Sequence, residues 1–184
     1  MPRSGSIDIP HVTVTDHFIR KPVKKTDVAG VKKFLGLVAI NEKDPSPKVK
    51  AEAYINQFEK FDHNPALLDS AMRYLSDKSK DDLNLLVHLY YLKNDLQNIT
   101  ALASKYHTDA SKQHSYDNKD AWTFYRIADA YDRLGNIKTA HMYYMLAKDL
   151  APHNPEFLNK FAGSLYKQNE KEEAQKMYRK IIEE

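Results

Sequence analysis

Two histidines near the start of the chain, His11 and His17, are the side chains best suited to bind a metal. A neutral imidazole is a good ligand for haem iron or zinc. On an extended segment the two rings would lie on the same side, but up to roughly 20 Å apart, which is too far to hold one ion. The spacing therefore predicts two solvated or hydrogen-bonded histidines and no metal site within this chain alone.

No sequence motif typical of catalysis is found elsewhere in the chain. It has no Gly-rich phosphate loop, no G-x-S-x-G elbow and no pair of histidines on a metal-binding helix. Its paired acids, Asp81–Asp82 and Glu172–Glu173, suit the first turn of a helix, where the helix dipole stabilises negative charge. The absence of cysteine rules out thiol catalysis, disulfides and cysteine-bound zinc. We therefore expect a protein that is not an enzyme and has no cofactor of its own.

The composition indicates which class of partner the protein binds. A net charge of +3, with basic and acidic residues interspersed, argues against binding to nucleic acid. The chain has no apolar run of the roughly 18 residues that a membrane span needs. Its 12 tyrosines and 5 glycines suit helices packed by large amphipathic side chains. The expected partner is a protein or a peptide.

The stretch from Ala121 to Glu184 repeats itself with a period of 34 residues. When Ala121 is set beside Pro155, residues of similar size and type fall at matching positions. The matching pairs are Ala128 and Ala162, Tyr131 and Leu165, Gly135 and Asn169, Ala140 and Ala174, and Tyr144 and Tyr178. This period is typical of stacked helix-turn-helix units, each of which completes its apolar core only against its neighbours.

The first copy of the repeat predicts two antiparallel helices that cross closely. Apolar residues between Phe124 and Tyr131 recur at helical spacing and form one stripe. Gly135 suits the left-handed position just after a helix end. Ala128 and Ala140 are small where the helices are expected to cross, since a larger side chain would push them apart.

These residues resemble a tetratricopeptide repeat. The residues on the signature positions of that family are Ala128, Tyr131, Gly135, Ala140, Tyr144, Ala147 and Pro152. The second copy departs from the pattern with Asn169 at the glycine position and Ile181 at the last alanine, and asparagine tolerates the left-handed conformation. The resemblance covers the last 64 residues. It implies an all-α fold, a superhelical array of antiparallel helical hairpins.

Weaker copies of the pattern precede this stretch, so we expect a helical domain over residues 46–184. Degenerate hairpins are predicted near 48–78 and 80–107, and clearer repeats at 121–152 and 155–184. Val87 and Ile99 replace the two small residues in the second hairpin, which predicts looser or differently angled packing there. The polar run 108–118 is the expected place of an insertion.

The first 45 residues differ in kind from the rest and predict an extended or irregular N-terminal arm, 1–45. Pro10 and Pro22 discourage a helix at the residues before them. The apolar run VKKFLGLVAIN, residues 31–41, fits either a helix or a packed strand by its pattern. We expect it to be extended or irregular and to lie against the first hairpins.

The start of this arm carries a second resemblance. Met1-Pro2 and the run SGSIDIPHVTVTDHFIR are similar to the segment directly after a haem-attaching CxxCH motif in multihaem c-type cytochromes that continue into tetratricopeptide repeats. In that family a downstream histidine can be an axial haem ligand, which implies this role for His11 or His17 in a longer parent protein. The chain itself has no CxxCH, so haem c would attach only upstream of it.

The two resemblances imply two functions. The first is a protein–protein interaction module, a tetratricopeptide scaffold without catalysis of its own. The alternative is a C-terminal accessory domain of a multihaem c-type cytochrome involved in electron transfer. The alternative would place the protein in the periplasm and the first in the cytoplasm.

A binding groove is expected on the face lined by the first helix of each hairpin. Helical spacing places on it Asn84, His88, Tyr91, Trp122, Tyr125, Asp129, Asp132, Asn159 and Tyr166. A lone tryptophan among tyrosines suits peptide recognition, although it could instead fill a gap between hairpins. The resemblance implies that recognition of an acidic C-terminal peptide would need basic and amide residues in the groove, where this chain has Asp129 and Asp132, so such a ligand is not expected.

Overall fold

The computed structural model of the chain describes residues 3–5, 13–15, 36–40, 43–76, 80–105 and 118–183. The chain divides after Gly36 into two units. In the first unit, strands β1 (Arg3–Gly5) and β2 (Thr13–Thr15) pair antiparallel, with Ser4 opposite Val14. Residues 36–40 form neither a helix nor a strand. The segments 16–35 and 106–117, with most of the apolar run and of the expected insertion, lie outside the described residues.

The described part of the second unit is helical from Pro47 onward, which confirms the predicted all-α class for this unit. Its helices are α1 (Pro47–Lys60), α2 (Pro65–Met72), α3 (Leu83–Leu92), α4 (Leu96–Lys105), α5 (Asn118–Arg133), α6 (Ile137–Leu150), α7 (Pro155–Lys167) and α8 (Lys171–Glu183). They pack as four pairs, α1 with α2, α3 with α4, α5 with α6 and α7 with α8. Short connections within each pair make its two helices antiparallel.

Each pair also packs on the next one along the chain. Helices α1 and α2 contact α3, both α3 and α4 contact α5, and α6 contacts α7. One core of buried side chains runs from Leu86 in α3 to Ala174 in α8. A smaller core around Ile55 and Leu89 joins the first pair to α3. Each pair therefore completes its core with side chains from its neighbours.

Three of the pairs turn from the first helix to the second in the same way. Asn94, Gly135 and Asn169 follow the ends of α3, α5 and α7 and have left-handed backbones, with φ of 56°, 83° and 70°. The amide after each of them donates to the carbonyl five residues before it, at 2.9 to 3.0 Å. These are Schellman helix ends. The prediction of a left-handed C-cap at Gly135 is confirmed, and asparagine takes its place at the other two turns.

Alanine occupies the most tightly buried positions of the last two pairs. Ala128 and Ala140 are fully buried in the α5–α6 pair, and Ala162 is fully buried in α7. In the α3–α4 pair the equivalent places hold Val87 and Ile99, which are also fully buried. Larger side chains therefore fit into this pair, whose helices are shorter and pack over less of their length.

Overpacking at Ala140 tests the register of the α5–α6 pair. Because Ala140 is fully buried, Ala140→Leu is expected to lower the free energy of unfolding by about 1–3 kcal/mol. Lys138→Leu, at an exposed position of the same helix, is the matched control and should change that free energy by less than about 0.5 kcal/mol. Denaturant unfolding followed by circular dichroism measures both. An Ala140→Leu protein as stable as the wild type would contradict the register.

Candidate functional site

A cleft of about 300 Å³ opens between α1, α3 and α5, the first helices of three successive pairs. Its lining is mixed, with charged and amide groups around an apolar centre. The lining residues are Lys48, Glu52, Asn84, Leu85, His88, Lys119, Trp122, Thr123 and Arg126. Three of the predicted groove residues, Asn84, His88 and Trp122, are thus brought to one surface.

Trp122 is the aromatic centre of the cleft. Its ring packs edge-on against Phe157 of α7 and Tyr125 of α5, with ring centres 4.8 and 5.5 Å apart. Yet 37% of Trp122 remains exposed, whereas Phe157 is buried. The indole therefore fills a gap between two pairs on one side and presents its other side to the cleft.

Arg126 lies one helical turn after Trp122, and its guanidinium is held by aromatic rings. The guanidinium carbon is 5.6 Å from the centre of the Trp122 ring and 5.9 Å from that of Tyr91, within the range of cation–π attraction. Burial lowers the pKa of Arg126, and the Glu59 carboxylate acts in the opposite direction. Arginine nonetheless stays charged. The structure gives its guanidinium no hydrogen bond or ion pair with any residue that it describes.

His88 is engaged by a residue of the first pair. Its Nε2 lies 2.9 Å from Oε1 of Glu59 in α1, and its side chain is 18% exposed. Burial and the nearby Arg126 charge hold the pKa of His88 below its ordinary value of 6.5, against the opposing effect of Glu59. The imidazole is therefore neutral at pH 7 and acts as a hydrogen-bonding link between α1 and α3.

Two further hydrogen bonds fix the walls of the cleft. Asn84 Nδ2 donates to Oδ1 of Asp120 at 3.0 Å, which joins α3 to α5. Lys48 Nζ donates to the backbone carbonyl of Asp81 at 2.9 Å, which joins α1 to the turn before α3. The three helices are thus tied to one another around the cleft by polar contacts.

Farther along α5, Asp129 is the centre of a buried ionic network. Its carboxylate accepts hydrogen bonds from Lys160 Nζ at 2.8 Å and from the Tyr91 hydroxyl at 3.3 Å. The Tyr144 hydroxyl donates to it at 3.5 Å, and Arg133 lies 3.8 Å away. The network joins α3, α5, α6 and α7. Asp129 is buried and fully engaged, so it is not an open groove residue.

Two other residues of the predicted groove are also engaged by the next pair. Asp132 accepts hydrogen bonds from Lys167 Nζ at 2.7 Å. Tyr125 is buried, and its hydroxyl donates to the Glu156 carboxylate. Burial and that carboxylate raise the pKa of Tyr125.

The cleft does not extend along the whole predicted stripe. Asn159 and Tyr166 of α7 are exposed, but neither lines the cleft. Tyr166 is 59% exposed and has the Lys171 ammonium 5.9 Å from its ring centre. Of the nine predicted groove residues, the structure thus brings Asn84, His88 and Trp122 to the cleft and leaves those of α7 apart from it.

The described residues include neither a group of side chains that could hold a metal ion nor a helix that could span a membrane. Within the described ranges, no three His, Asp or Glu residues are grouped so that they could hold a metal ion. His11 and His17, the expected axial ligands in a longer cytochrome, lie outside those ranges. No helix in the described part is long and apolar enough to cross a membrane.

Comparison of the chain with models of known protein families found no match, and comparison with curated proteins found none either.

The Asp129 network gives a quantitative test of how the pairs are joined. Asp129→Ala is expected to lower the free energy of unfolding by about 2–3 kcal/mol, because Lys160 and two tyrosine hydroxyls lose a charged acceptor. Asp132→Ala is the matched control. It breaks an ion pair whose lysine is half-exposed and should cost less than about 1 kcal/mol. Denaturant unfolding measures both, and equal losses in the two variants would contradict the central role of Asp129.

Proposed function

We propose that the helical unit is a protein–protein interaction module, a scaffold of the tetratricopeptide type without catalysis of its own. In this proposal its four helical pairs are repeats of one superhelical array. The ligand is an extended protein segment or peptide that binds in the cleft between α1, α3 and α5.

The recurrence of one helix end supports the repeat architecture. Left-handed turns close α3, α5 and α7 at residues 94, 135 and 169, with the same two backbone hydrogen bonds each time. The last two turns are 34 residues apart, which is the period of the sequence repeat. The first two are 41 apart, and the polar run predicted as an insertion lies between them. The first pair departs from the pattern, since α1 ends at Lys60 and the residue after it, Phe61, has a φ of −132°.

The exposed face of Trp122 is the observation that carries the binding proposal. Tryptophan and arginine are enriched among the residues that dominate binding energy at protein interfaces, and here both stand in one concave site. The packed side of Trp122 fixes the ring before any ligand arrives. A side chain that is already ordered loses little conformational entropy on binding, which favours affinity.

The hydrogen bonding of the polar groups also suits a binding site. His88 is hydrogen-bonded to Glu59, and Asn84 to Asp120, so both are held in fixed positions. Groups held in this way can orient a ligand through their remaining donors and acceptors.

Selection of peptides by display against the full chain tests this proposal. Trp122→Ala is expected to weaken binding of a selected peptide by about 2 kcal/mol, as measured by calorimetry, because the exposed ring supplies the main apolar contact. Circular dichroism should show unchanged helix content. Met145→Ala is the matched control, since Met145 on α6 is as exposed (39%) but lies outside the cleft. Selected peptides that bind the Trp122→Ala protein as tightly as the wild type would refute the proposed site.

A further inference from the structure

Trp122 and Tyr125 form an aromatic pair that links the surface of the helical unit to its core. They stand three residues apart on α5, where helical geometry makes side chains neighbours, and their rings meet edge to face with centres 5.5 Å apart. The indole is partly exposed, whereas Tyr125 is buried. A reagent in solution therefore reaches the indole directly, and the phenol lies behind it.

The Tyr125 hydroxyl has a proton acceptor that is open to solvent. It donates to the carboxylate of Glu156, an exposed residue in the first turn of α7. Burial and that carboxylate raise the pKa of Tyr125, so the phenol keeps its proton at pH 7. Because donor and acceptor are in hydrogen-bond contact, the geometry allows direct proton transfer. This bond is a path by which the buried phenol can pass its proton to a group that exchanges it with water.

Such a path matters when an electron is removed from the pair. A phenol that loses an electron becomes a strong acid, and a buried positive charge without a proton acceptor is costly. Glu156 is placed to accept the proton, so the oxidised phenol becomes a neutral radical. The Arg126 guanidinium, 5.6 Å from the centre of the Trp122 ring, opposes a positive charge on the indole. Both effects favour movement of the oxidised state from Trp122 to Tyr125.

Tyr144 is the next ring inward, and its surroundings are less suitable for oxidation. Its ring centre is 6.1 Å from that of Tyr125. Its hydroxyl reaches Asp129 only at 3.5 Å, a long and weak hydrogen bond, and that carboxylate is paired with Lys160. A nearby positive charge makes a carboxylate a weaker base. We therefore expect the oxidised state to stop at Tyr125.

We propose that Trp122 and Tyr125 are a one-electron relay, in which a radical oxidant in solution, such as a carbonate or azide radical, oxidises Trp122 and Tyr125 then reduces it. The oxidant takes one electron from the indole and becomes its anion, which leaves an indole radical cation. One electron passes from Tyr125 to Trp122 while the phenol proton moves to Glu156. The products are intact Trp122, a neutral phenoxyl radical on Tyr125 and a protonated Glu156, which releases its proton to water. This activity does not depend on the proposed peptide binding.

Pulse radiolysis of the full chain tests the relay. The azide radical is the oxidant, because it oxidises tryptophan in preference to tyrosine. The chain has one tryptophan, so the oxidised state starts at Trp122. The absorption of the indole radical should decay as that of the tyrosyl radical rises, at a rate independent of protein concentration. Tyr125→Phe, which keeps the ring and removes the hydroxyl, should slow this decay by about tenfold or more.

Two further variants separate the parts of the relay. Glu156→Gln keeps a hydrogen-bond acceptor but removes the base, so it should also slow the decay. Since Glu156 is exposed, this variant tests the relay without disturbing the core. Tyr144→Phe is the matched control, because it removes another buried hydroxyl next to Tyr125 and should leave the decay unchanged. Circular dichroism checks that each variant keeps its helix content.

Three results would overturn the inference. The first is an indole radical that decays as fast in Tyr125→Phe as in the wild type, and the second is equal slowing in Tyr144→Phe. The third is a decay rate proportional to protein concentration, because the electron would then pass between molecules. Mass spectrometry gives a second readout. After exposure to carbonate radical, oxidation products of Trp122 should be more abundant in Tyr125→Phe than in the wild type, and equal amounts would contradict the relay.

Discussion

The packing of each helical pair against the next is the interaction on which the rest of the helical unit depends. Two antiparallel helices leave an apolar face open, and here each such face is covered by a neighbouring pair. Phe157 of α7 shows how this works. It is almost fully buried and lies against the rings of Trp122 and Tyr125 in α5, with ring centres 4.8 and 5.2 Å away. Contacts between pairs therefore set the position of the side chains that line the cleft.

Charged groups strengthen the same junctions and connect stability with binding. The Asp129 carboxylate joins four helices, and one of its donors is the hydroxyl of Tyr91. The ring of that tyrosine faces the Arg126 guanidinium. Tyr91 thus links the buried network to the cleft, so a change that loosens the junction between α5 and α7 also changes how Arg126 is held.

The sequence correctly predicted those features that depend on the geometry of a single helix. A glycine after an apolar stripe predicted the left-handed turn at Gly135, and helical spacing placed Asn84, His88 and Trp122 on a common face. Spacing also carried a signal for Arg126 that the prediction missed, since it stands four residues after Trp122 on the same face. These features depend on local geometry, which a single sequence records well.

Features that depend on the next pair were not predictable in this way. Tyr125 and Asp129 were expected in the groove, but residues of α7 bury and engage them, because helical spacing does not say what a neighbouring pair will cover. The sequence did contain an indication of the lysine partners, because Lys160 follows Asp129 by 31 residues, close to one repeat period. Lys48 was missed for a different reason. It lies in the first pair, where α1 does not end in the recurring left-handed turn. Without that turn, the sequence of this pair could not be aligned with the repeat.

Native-state hydrogen exchange of the full chain tests most directly the claim that stability comes from contacts between pairs. Amides of α5 and α6, which are packed by described pairs on both sides, should exchange with the largest opening free energies, and protection should fall toward α1 and α8. Greater protection in a terminal pair than in α5 and α6 would contradict the claim. It would show that such a pair is stable by itself, and the cleft would then need another explanation for its fixed geometry.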